Sequence, residues 1–337
     1  MKKKCLIIAE AGVNHNGDLN LALKLCDAAK KAGANVIKFQ TWKTEAIITK
    51  NVEQAEYQKD NTGIRESQFD MLKKLELSYD DFRKIKNYCD SIGILFSSTA
   101  DDIESLDFLV SLGIPFIKIG SGEIGNVSYL RYIGRKKLPV ILSTGMSTLS
   151  DIDISLQALR EGGATDITLL HCTTSYPCHY DNVNLNAMLT IRDAFKLPVG
   201  YSDHTLGNIV SVSAVAMGAK IIEKHFTLDK NMQGPDHKAS STPDQFKKLV
   251  DDIRNIEYAM GDGRKIPTKA EKEISKVVLK RIVAKHNISK GTIISEEDIC
   301  IKRNNKGAHA DKWDLIIGMK ARKDYSIDEG ISFYEEN

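Results

Sequence analysis

The sequence predicts an α/β protein built on a parallel sheet, and two features of the chain support this. Short apolar runs rich in β-branched residues alternate with amphipathic segments from Cys5 to about Gly261, which is the pattern of strands joined through helices. The runs are continuously apolar, as expected of strands buried on both faces of a parallel sheet. Because parallel neighbours need a long crossover, the helical segments supply the connections.

Eight such runs follow one another, which predicts a (β/α)8 TIM barrel. They are Cys5–Gly12, Asn35–Thr41, Ile94–Thr99, Phe116–Gly122, Pro139–Gly145, Ile167–Thr173, Pro198–Asp203 and Lys220–Phe226. Helical patterns lie between them. The first is Leu19–Lys31, a later one is Asp151–Glu161 with Ser150 as its N-cap, and Pro243–Met260 closes the set.

The chain changes character after the barrel. A polar stretch with turn residues predicts a linker at 263–280, between a barrel at 1–262 and a β-rich domain at 281–337. Within the barrel, the polar segment Lys43–Ser67 is long for a connection, and such loops are more often functional lids than accidents.

Composition excludes several classes of protein. The 337 residues include 47 basic and 45 acidic side chains, a net charge of +2, with 27% charged and 42% hydrophobic residues. Disorder, nucleic-acid binding and membrane binding are not indicated by such a balance. The six cysteines form no CxxC pair, as is usual in a reducing compartment. The sequence therefore predicts a cytoplasmic protein with neither a nucleic-acid nor a membrane partner.

Polar residues concentrate where the predicted strands end, which is the face that carries the active site of a barrel. These strand-end residues are Glu10, Gln40, Thr99, Lys118, Ser121, Glu123, Ser143, Ser202, His204, Glu223 and His225. Tyr176 and Asp236 fall in loops that follow the sixth and eighth strands, where they either reach the same mouth or determine turns.

Two histidines suggest a metal site. His225 shares a strand face with Glu223, and His204 ends the neighbouring strand. Two imidazoles without thiolates suit Mn²⁺, Fe²⁺, Co²⁺ or Zn²⁺, with water or a substrate oxygen completing the coordination. The alternative is that both are polar residues of the core.

A second set of side chains suits a phosphate group, because one fixed cation among hydroxyl donors is a common anion site. The set is Lys118, Ser121, Ser143, Thr99 and Ser202. A barrel lysine can equally form a Schiff base, which would make the protein an aldolase. Glu10, Glu123 and Glu223 could supply general acid and base functions, or could balance the lysines.

Ordered motifs make the chain resemble the sialic acid synthase family. They are AEAGVNHNG (9–17), VIKFQT (36–41), FIKIGSGE (116–123), ILSTGM (141–146), LLHCTTSYP (169–177), GYSDHT (200–205) and IEKHFTLDKNMQGPDHKAS (222–240). The segment IVAKHNISKGTIISEEDI (282–299) resembles that family's C-terminal antifreeze-like, or SAF, domain. The resemblance thus covers both predicted domains.

The resemblance implies that phosphoenolpyruvate condenses with the open-chain aldehyde of an N-acylated mannosamine, giving a nine-carbon α-keto acid and phosphate by C–O cleavage. It implies a divalent ion on His204 and His225, most often Mn²⁺, with Mg²⁺ or Co²⁺ as alternatives. It also implies that Lys118, with Ser121, Thr99, Ser143 and Ser202, holds phosphoenolpyruvate and forms no Schiff base.

Further roles follow from the resemblance alone. It implies that Glu123 and Gln40 bind sugar hydroxyls or the water on the metal, and that Glu10 and Glu223 take part in proton transfer. The sugar chain would contact Tyr176, Asp236 and Asn61. In this family the small domain swaps across a homodimer, and the arginine that it places over the partner's barrel corresponds to Arg303.

Two departures bear on the acceptor sugar. The family usually continues its arginine as Arg-Pro-Gly-x-Gly, whereas this chain reads Arg303-Asn304-Asn305-Lys306-Gly307, and Ala100-Asp101 stands where Pro-Phe is common. The loss of proline predicts a changed loop shape or mobility. N-acetylmannosamine, giving N-acetylneuraminate, is the first expectation, and 2,4-diacetamido-2,4,6-trideoxymannose, giving N,N′-diacetyllegionaminate, is the alternative. A catalytically silent sugar-binding protein would lack the polar groups that this chain retains.

Overall fold

The structure is a computed structural model that describes residues 4–54, 59 and 66–333. The chain divides into two compact units, Met1–Gly261 and Asp262–Asn337. Each unit has its own hydrophobic core. Asn61, expected to contact the sugar, lies outside the described residues.

The first unit is a closed barrel of eight parallel strands in sequence order, which confirms the predicted fold. The strands are β1 (Leu6–Gly12), β2 (Val36–Thr41), β3 (Leu95–Ala100), β4 (Ile117–Ile119), β5 (Val140–Ser143), β6 (Ile167–His171), β7 (Val199–Asp203) and β8 (Ile221–His225). Strand β1 pairs with both β2 and β8, so the barrel has no free edge.

Ten helices of the described chain accompany these strands. They are α1 (Leu19–Ala32), α2 (Thr44–Ile47), α3 (Gln68–Leu75), α4 (Tyr79–Ile92), α5 (Ile103–Ser111), α6 (Val127–Gly134), α7 (Leu149–Gly162), α8 (Asn186–Phe195), α9 (Ile209–Ala216) and α10 (Pro243–Ala259). Helix α7 begins earlier than predicted, because Thr148 and not Ser150 is its N-cap. Thr148 forms a capping box with Asp151, and this reciprocal pair satisfies two backbone donors.

Strand β4 is shorter than predicted. The ladder ends at Ile119, and Ser121–Glu123 form a 3₁₀ turn instead of continuing the strand. The Gly120 and Gly122 positions weaken any further pairing, since glycine adds no side chain to a sheet. Ser121 and Glu123 therefore sit on a turn above the barrel mouth.

The interior of the barrel changes from apolar to polar along the strands. An apolar cluster closes one end, formed by Ile8, Val36, Phe116, Ile141, Leu170 and Ile221. Two residues further along each of these strands, side chains of the same parity point inward again. In five of the six strands that next inward residue is polar: Glu10, Lys38, Lys118, Ser143 and Glu223. The strand pattern thus places these five residues, the polar layer, directly above the apolar cluster.

The second unit contains the antiparallel pair β9 (Lys280–Ala284) and β10 (Ile299–Arg303). Its core is formed by Ile282, Ala284, Ile288, Ile294, Ile299, Ile316, Ala321, Tyr325 and Ile331. The short helix α12 (Trp313–Ile316) belongs to this unit. The predicted linker also contains a helix, α11 (Lys269–Val278), which Thr268 caps through a capping box with Glu271.

Candidate active site

Lys38 lies at the centre of the polar layer. Its Nζ is 2.8 Å from Glu10 Oε2, donates to Thr99 Oγ1 at 2.8 Å and is 3.8 Å from Glu223 Oε2. The side chain of Lys38 is almost fully buried, at 3% exposure. A buried ammonium of this kind needs both charged and neutral acceptors. Strands β1, β2, β3 and β8 each supply one of the groups in this cluster.

Lys118 is the second cation of the layer. Its Nζ donates to Ser143 Oγ at 2.8 Å and to the Ile119 carbonyl at 3.2 Å, and it lies 3.4 Å from Glu223 Oε1. Ser202 donates to the same Glu223 oxygen at 3.1 Å. Glu223 therefore bridges Lys118 and Lys38.

The charges of the polar layer balance, with two lysines against two carboxylates. Burial raises the pKa of Glu10, with Lys38 acting against this shift. Burial also acts to raise the pKa of Glu223, but Lys118 and Lys38 outweigh it and hold that pKa below its usual range. Glu10 Oε2 is engaged by Lys38, whereas Glu223 Oε2 has no hydrogen bond among the residues described. The layer is therefore neutral but retains unused acceptor capacity.

His204 and His225 stand next to each other at the mouth, with ring centroids 5.6 Å apart. The Tyr176 ring lies 4.2 Å from that of His204 and 5.6 Å from that of His225. His204 Nδ1 contacts the Thr173 carbonyl at 2.7 Å, so this nitrogen carries the proton and Nε2 is left to accept. His225 Nδ1 lies 3.9 Å from Asp236 Oδ2.

The protonation of these histidines suits metal ligation. Burial lowers the pKa of both His204 and His225, that of His225 to about 3 with the neighbouring His204 contributing. Neutral imidazoles are the form that binds a metal. His225 Nδ1 is buried and makes no hydrogen bond within the described chain. The pair fits a divalent ion with two protein nitrogens, and no described set of three His, Cys, Asp or Glu side chains surrounds a common metal position.

Asp236 and Gln40 line the same mouth. Burial raises the pKa of Asp236 to about 6. Gln40 Nε2 lies 3.4 Å from Glu10 Oε1, and its strand pairs with β3 at Thr99. Both groups present neutral or weakly acidic hydrogen-bonding atoms beside the two histidines and the lysine cluster.

Ser121 and Glu123 lie apart from the lysine cluster, on the turn after β4. Ser121 Oγ contacts Cys172 Sγ at 3.3 Å and accepts from the Gly145 backbone at 2.9 Å, while Glu123 accepts from Asn126 at 2.7 Å. A Cβ added to Gly145 would lie 2.9 Å from Ser121 Oγ, so only glycine allows the two loops to approach this closely. The structure thus links Ser121 to the β5 and β6 loops, and no hydrogen bond within the described chain joins Ser121 to Lys118.

Arg303 ends β10 in the second unit and is exposed. The loop after it is held by Asn304, whose Nδ2 donates to the Asp328 carbonyl at 3.0 Å and whose Oδ1 accepts from the Lys306 backbone at 3.1 Å. Gly307 follows with φ of +100°, where a Cβ would lie 2.8 Å from Gly330. Asparagine hydrogen bonds therefore shape the loop that lacks the family's usual proline.

The sequence-predicted set omitted two residues that the structure places at the site. Lys38 is absent from the predicted set, although alternation in VIKFQT puts it on the face of Gln40. Asp101 follows β3, and its backbone N–H donates to the Thr41 carbonyl at 3.2 Å, which extends the ladder by one residue. Strand parity was the signal that could have identified both.

A closed (β/α)8 barrel with buried lysines, carboxylates and paired histidines at the carboxyl ends of its strands is the architecture of a barrel enzyme. The NeuB family profile matches residues 25–265, and the SAF domain profile matches residues 281–333. The chain belongs to the NeuB family. It is an enzyme, a transferase of the sialic and nonulosonic acid synthase type.

Three similar proteins are named as synthases of legionaminic or sialic acids. The N,N′-diacetyllegionaminic acid synthase of Campylobacter jejuni is 49% identical over 97% of this chain and 98% of its own. That of Legionella pneumophila is 47% identical over 94% of this chain and 90% of its own. A solved N-acetylneuraminic acid (sialic acid) synthetase from Leptospira borgpetersenii is 35% identical, with a TM-score of 0.71 over 80% of this chain and 90% of its own.

No helix of the described chain is long and apolar enough to cross a membrane.

Proposed function

We propose that the protein condenses phosphoenolpyruvate with 2,4-diacetamido-2,4,6-trideoxymannose to give N,N′-diacetyllegionaminate and phosphate. The observation that carries the acceptor is the 47–49% identity to two proteins named for this product, over nearly their full length. The sequence by itself placed N-acetylmannosamine first, and these relatives favour the alternative.

The lysine cluster supports binding of the phosphoenolpyruvate anion. Lys118 and Lys38 supply the cations, and hydroxyl groups of Ser143, Thr99 and Ser202 lie within hydrogen-bonding distance of the lysines or of Glu223. Charge-assisted hydrogen bonds to phosphate and carboxylate oxygens are stronger than neutral ones. The anion would replace carboxylate contacts that the lysines now make.

The surroundings of Lys118 favour this role over a Schiff base. All three of its partners, Ser143 Oγ, the Ile119 carbonyl and Glu223, are groups able to accept from an ammonium. A Schiff-base lysine attacks as a neutral amine. An aldolase mechanism on Lys118 is therefore the weaker candidate.

The reaction balances with one water. Carbon C3 of phosphoenolpyruvate forms the new bond to the aldehyde carbon of the sugar, water supplies the oxygen of the new keto group, and phosphate leaves with its bridging oxygen. His204 and His225 would hold Mn²⁺, which when bound supplies a Lewis acid for the aldehyde oxygen. Tyr176 and Asp236 would orient the sugar beside these histidines, and Glu123 and Gln40 would bind its hydroxyls.

Glu10 and Glu223 are the proposed proton carriers, because their environments shift the two pKa values in opposite directions. Asn61 and Ser121 complete the proposed substrate contacts. The six free cysteines, five of them buried, support a cytoplasmic location.

The deciding experiment measures phosphate release by metal-stripped protein with Mn²⁺ restored, using both candidate sugars in parallel and mass spectrometry of the products. We expect Mn²⁺-dependent release with higher kcat/KM for the diacetamido sugar. A preference for N-acetylmannosamine would assign N-acetylneuraminate synthesis, in line with the 35% identical sialic acid synthetase. Release with neither sugar would contradict the proposal.

We also propose that Arg303 completes the site of a second subunit in a domain-swapped homodimer. The test mixes an Arg303→Ala subunit with a His204→Ala/His225→Ala subunit, each inactive alone. Mixed dimers should regain activity, because each contains one intact barrel and one intact arginine. Absence of recovery after subunit exchange has been verified would contradict the swapped arrangement.

A further inference from the structure

Asp101 presents an unused carboxylate at the barrel mouth. The residue extends the β3 ladder through its backbone bond to Thr41, so the parity of the strand carries through it. Thr99, two residues earlier, points inward and accepts from Lys38. Alternation along a strand therefore turns Asp101 toward the same interior, one layer further out.

The Asp101 side chain has no hydrogen-bond or ion-pair partner among the residues that the structure describes. Its neighbour Asp102 differs, since it caps α5 and accepts from Ser105. Burial, then the nearby Glu123 carboxylate, raises the pKa of Asp101 to about 7. The charges of Lys38 and Lys118 also act on it, which agrees with an inward position.

The layers below and around Asp101 also leave acceptors unused. Ser97 lies two residues before Thr99 on the same face, is fully buried, and its hydroxyl is unpaired within the described chain. The lysines of the inner layer are already balanced by Glu10 and Glu223. A further acidic group above a balanced layer does not suit an anion such as phosphoenolpyruvate, because it supplies no cation to hold that anion. It suits a neutral ligand that brings N–H or O–H donors.

We propose that Asp101 is a specificity-determining residue whose carboxylate accepts a hydrogen bond from an amide N–H or hydroxyl donor of the acceptor sugar. The inference rests on the proposed function, because it assigns the neutral co-substrate to this side of the mouth. Sites built to pair a polar group discriminate strongly against analogues that lack it. Asp101 would thus act on the sugar and leave phosphoenolpyruvate unaffected.

The test compares Asp101→Asn and Asp101→Ala with the wild type in the presence of Mn²⁺. Glu104→Gln serves as a matched control, since it also removes one carboxylate charge, three residues away on the exposed side of α5. Calorimetry measures affinity for 2,4-diacetamido-2,4,6-trideoxymannose and for phosphoenolpyruvate separately, and kinetics then give KM for each substrate.

We expect Asp101→Ala to bind the sugar about 10- to 100-fold more weakly, as for loss of a hydrogen bond to a charged group. Asp101→Asn should lose less affinity, because its amide oxygen can still accept a hydrogen bond. Phosphoenolpyruvate affinity should stay within about twofold, and the control should match the wild type. Equal sugar affinity in Asp101→Ala and wild type, or an equal loss of phosphoenolpyruvate affinity, would overturn the inference.

The experiment separates this inference from the proposed function. If the wild type binds the sugar but releases no phosphate, the proposed function fails, and the ratio of sugar affinities still decides the role of Asp101. If the wild type binds no acceptor sugar, both fail.

Discussion

Two buried lysine–carboxylate groups lie on opposite faces of the same barrel wall, and they differ in how completely they are satisfied. On the outer face, toward the helices, Lys224 Nζ donates to Asp203 Oδ2 at 2.8 Å and to the Thr205 carbonyl at 2.7 Å. Asp203 also accepts from Ser211 and from both the backbone and hydroxyl of Thr205. Both carboxylate oxygens are used.

On the inner face, the group around Lys38 and Lys118 is looser. Glu223 reaches the two lysines only at 3.8 and 3.4 Å. Its Oε2 atom accepts no hydrogen bond among the described residues. Burying charges without full pairing costs stability, so such a group persists where a ligand completes it.

This difference in hydrogen bonding distinguishes a structural lysine–carboxylate pair from a functional one. Lys224 and Asp203 stand beside His225 and His204 in sequence but face away from them, and they fix the backbone between β7 and β8. The inner lysines, with unused acceptors around them, are arranged to exchange partners. The structural pair is therefore the one whose carboxylate oxygens all accept hydrogen bonds. The proposed binding site is the one in which a carboxylate oxygen is left without a hydrogen bond.

The largest expected effect is on activity, from Lys118→Met. We expect kcat/KM for phosphoenolpyruvate to fall by about 10³-fold or more, because a charged donor to the anion is lost. Stability should change much less than activity, since Glu223 keeps Lys38 and Ser202 as partners. Steady-state kinetics and urea unfolding measure the two effects. Unchanged kinetics with phosphoenolpyruvate would contradict the assignment of the inner lysines to substrate binding.

The structural half predicts the opposite result for Lys224→Met. Removal of this ammonium leaves the Asp203 carboxylate buried without its cation, and we expect a loss of about 3–5 kcal/mol in the free energy of unfolding. Lys248→Met is the matched control. Its pair with Asp252 is solvent-exposed, so the expected loss is below about 0.5 kcal/mol. Equal unfolding midpoints for the two variants would refute the structural assignment.

A variant of His15 can test whether every buried polar atom without a hydrogen bond belongs to a functional site. His15 is fully buried, its Nδ1 accepts from Gly17, and its Nε2 is unpaired within the described chain. Burial lowers its pKa from 6.5 to about 4. The unfolded chain therefore takes up the proton first as pH falls, and stability decreases between these two values.

The change to measure is His15→Asn. It should remove up to about 3 kcal/mol of the stability loss between pH 6.5 and pH 4, since each pKa unit corresponds to about 1.4 kcal/mol. Urea unfolding at several pH values gives the slope for each protein. Activity lost at neutral pH with stability unchanged would move His15 into the functional group.

The smallest expected effect is that of Ser97→Ala. Its buried hydroxyl lacks a partner, so its removal should leave stability unchanged or raise it by about 1 kcal/mol. Ser98→Ala is the control on the other face of β3. Its hydroxyl pairs with Thr41 at 2.7 Å, and its loss should cost about 1 kcal/mol. A larger stability loss for Ser97→Ala than for Ser98→Ala would show that hydrogen-bond pairing does not distinguish the two faces of β3.

Much of the site was predictable because strand parity is a local property. Period-two alternation places Glu223 and His225 on one face and Lys224 on the other, as the structure confirms. The eight apolar runs likewise predicted the closed barrel. The ends of elements were less predictable. The N-cap of α7 is Thr148 and not the predicted Ser150, and Ser121 lies on a turn and not on the predicted strand. Caps and turns depend on tertiary neighbours.

The sequence by itself determined the barrel, the inward face of each strand and the end at which chemistry-bearing residues collect. Only the tertiary structure decided which of those residues meet. Lys38 pairs with Glu10 because β1 and β2 align these positions, and it reaches Thr99 because β3 is its other neighbour. It comes near Glu223 because the barrel closes β8 onto β1. The stagger between neighbouring strands is set by packing over the whole barrel, so no local pattern encodes it.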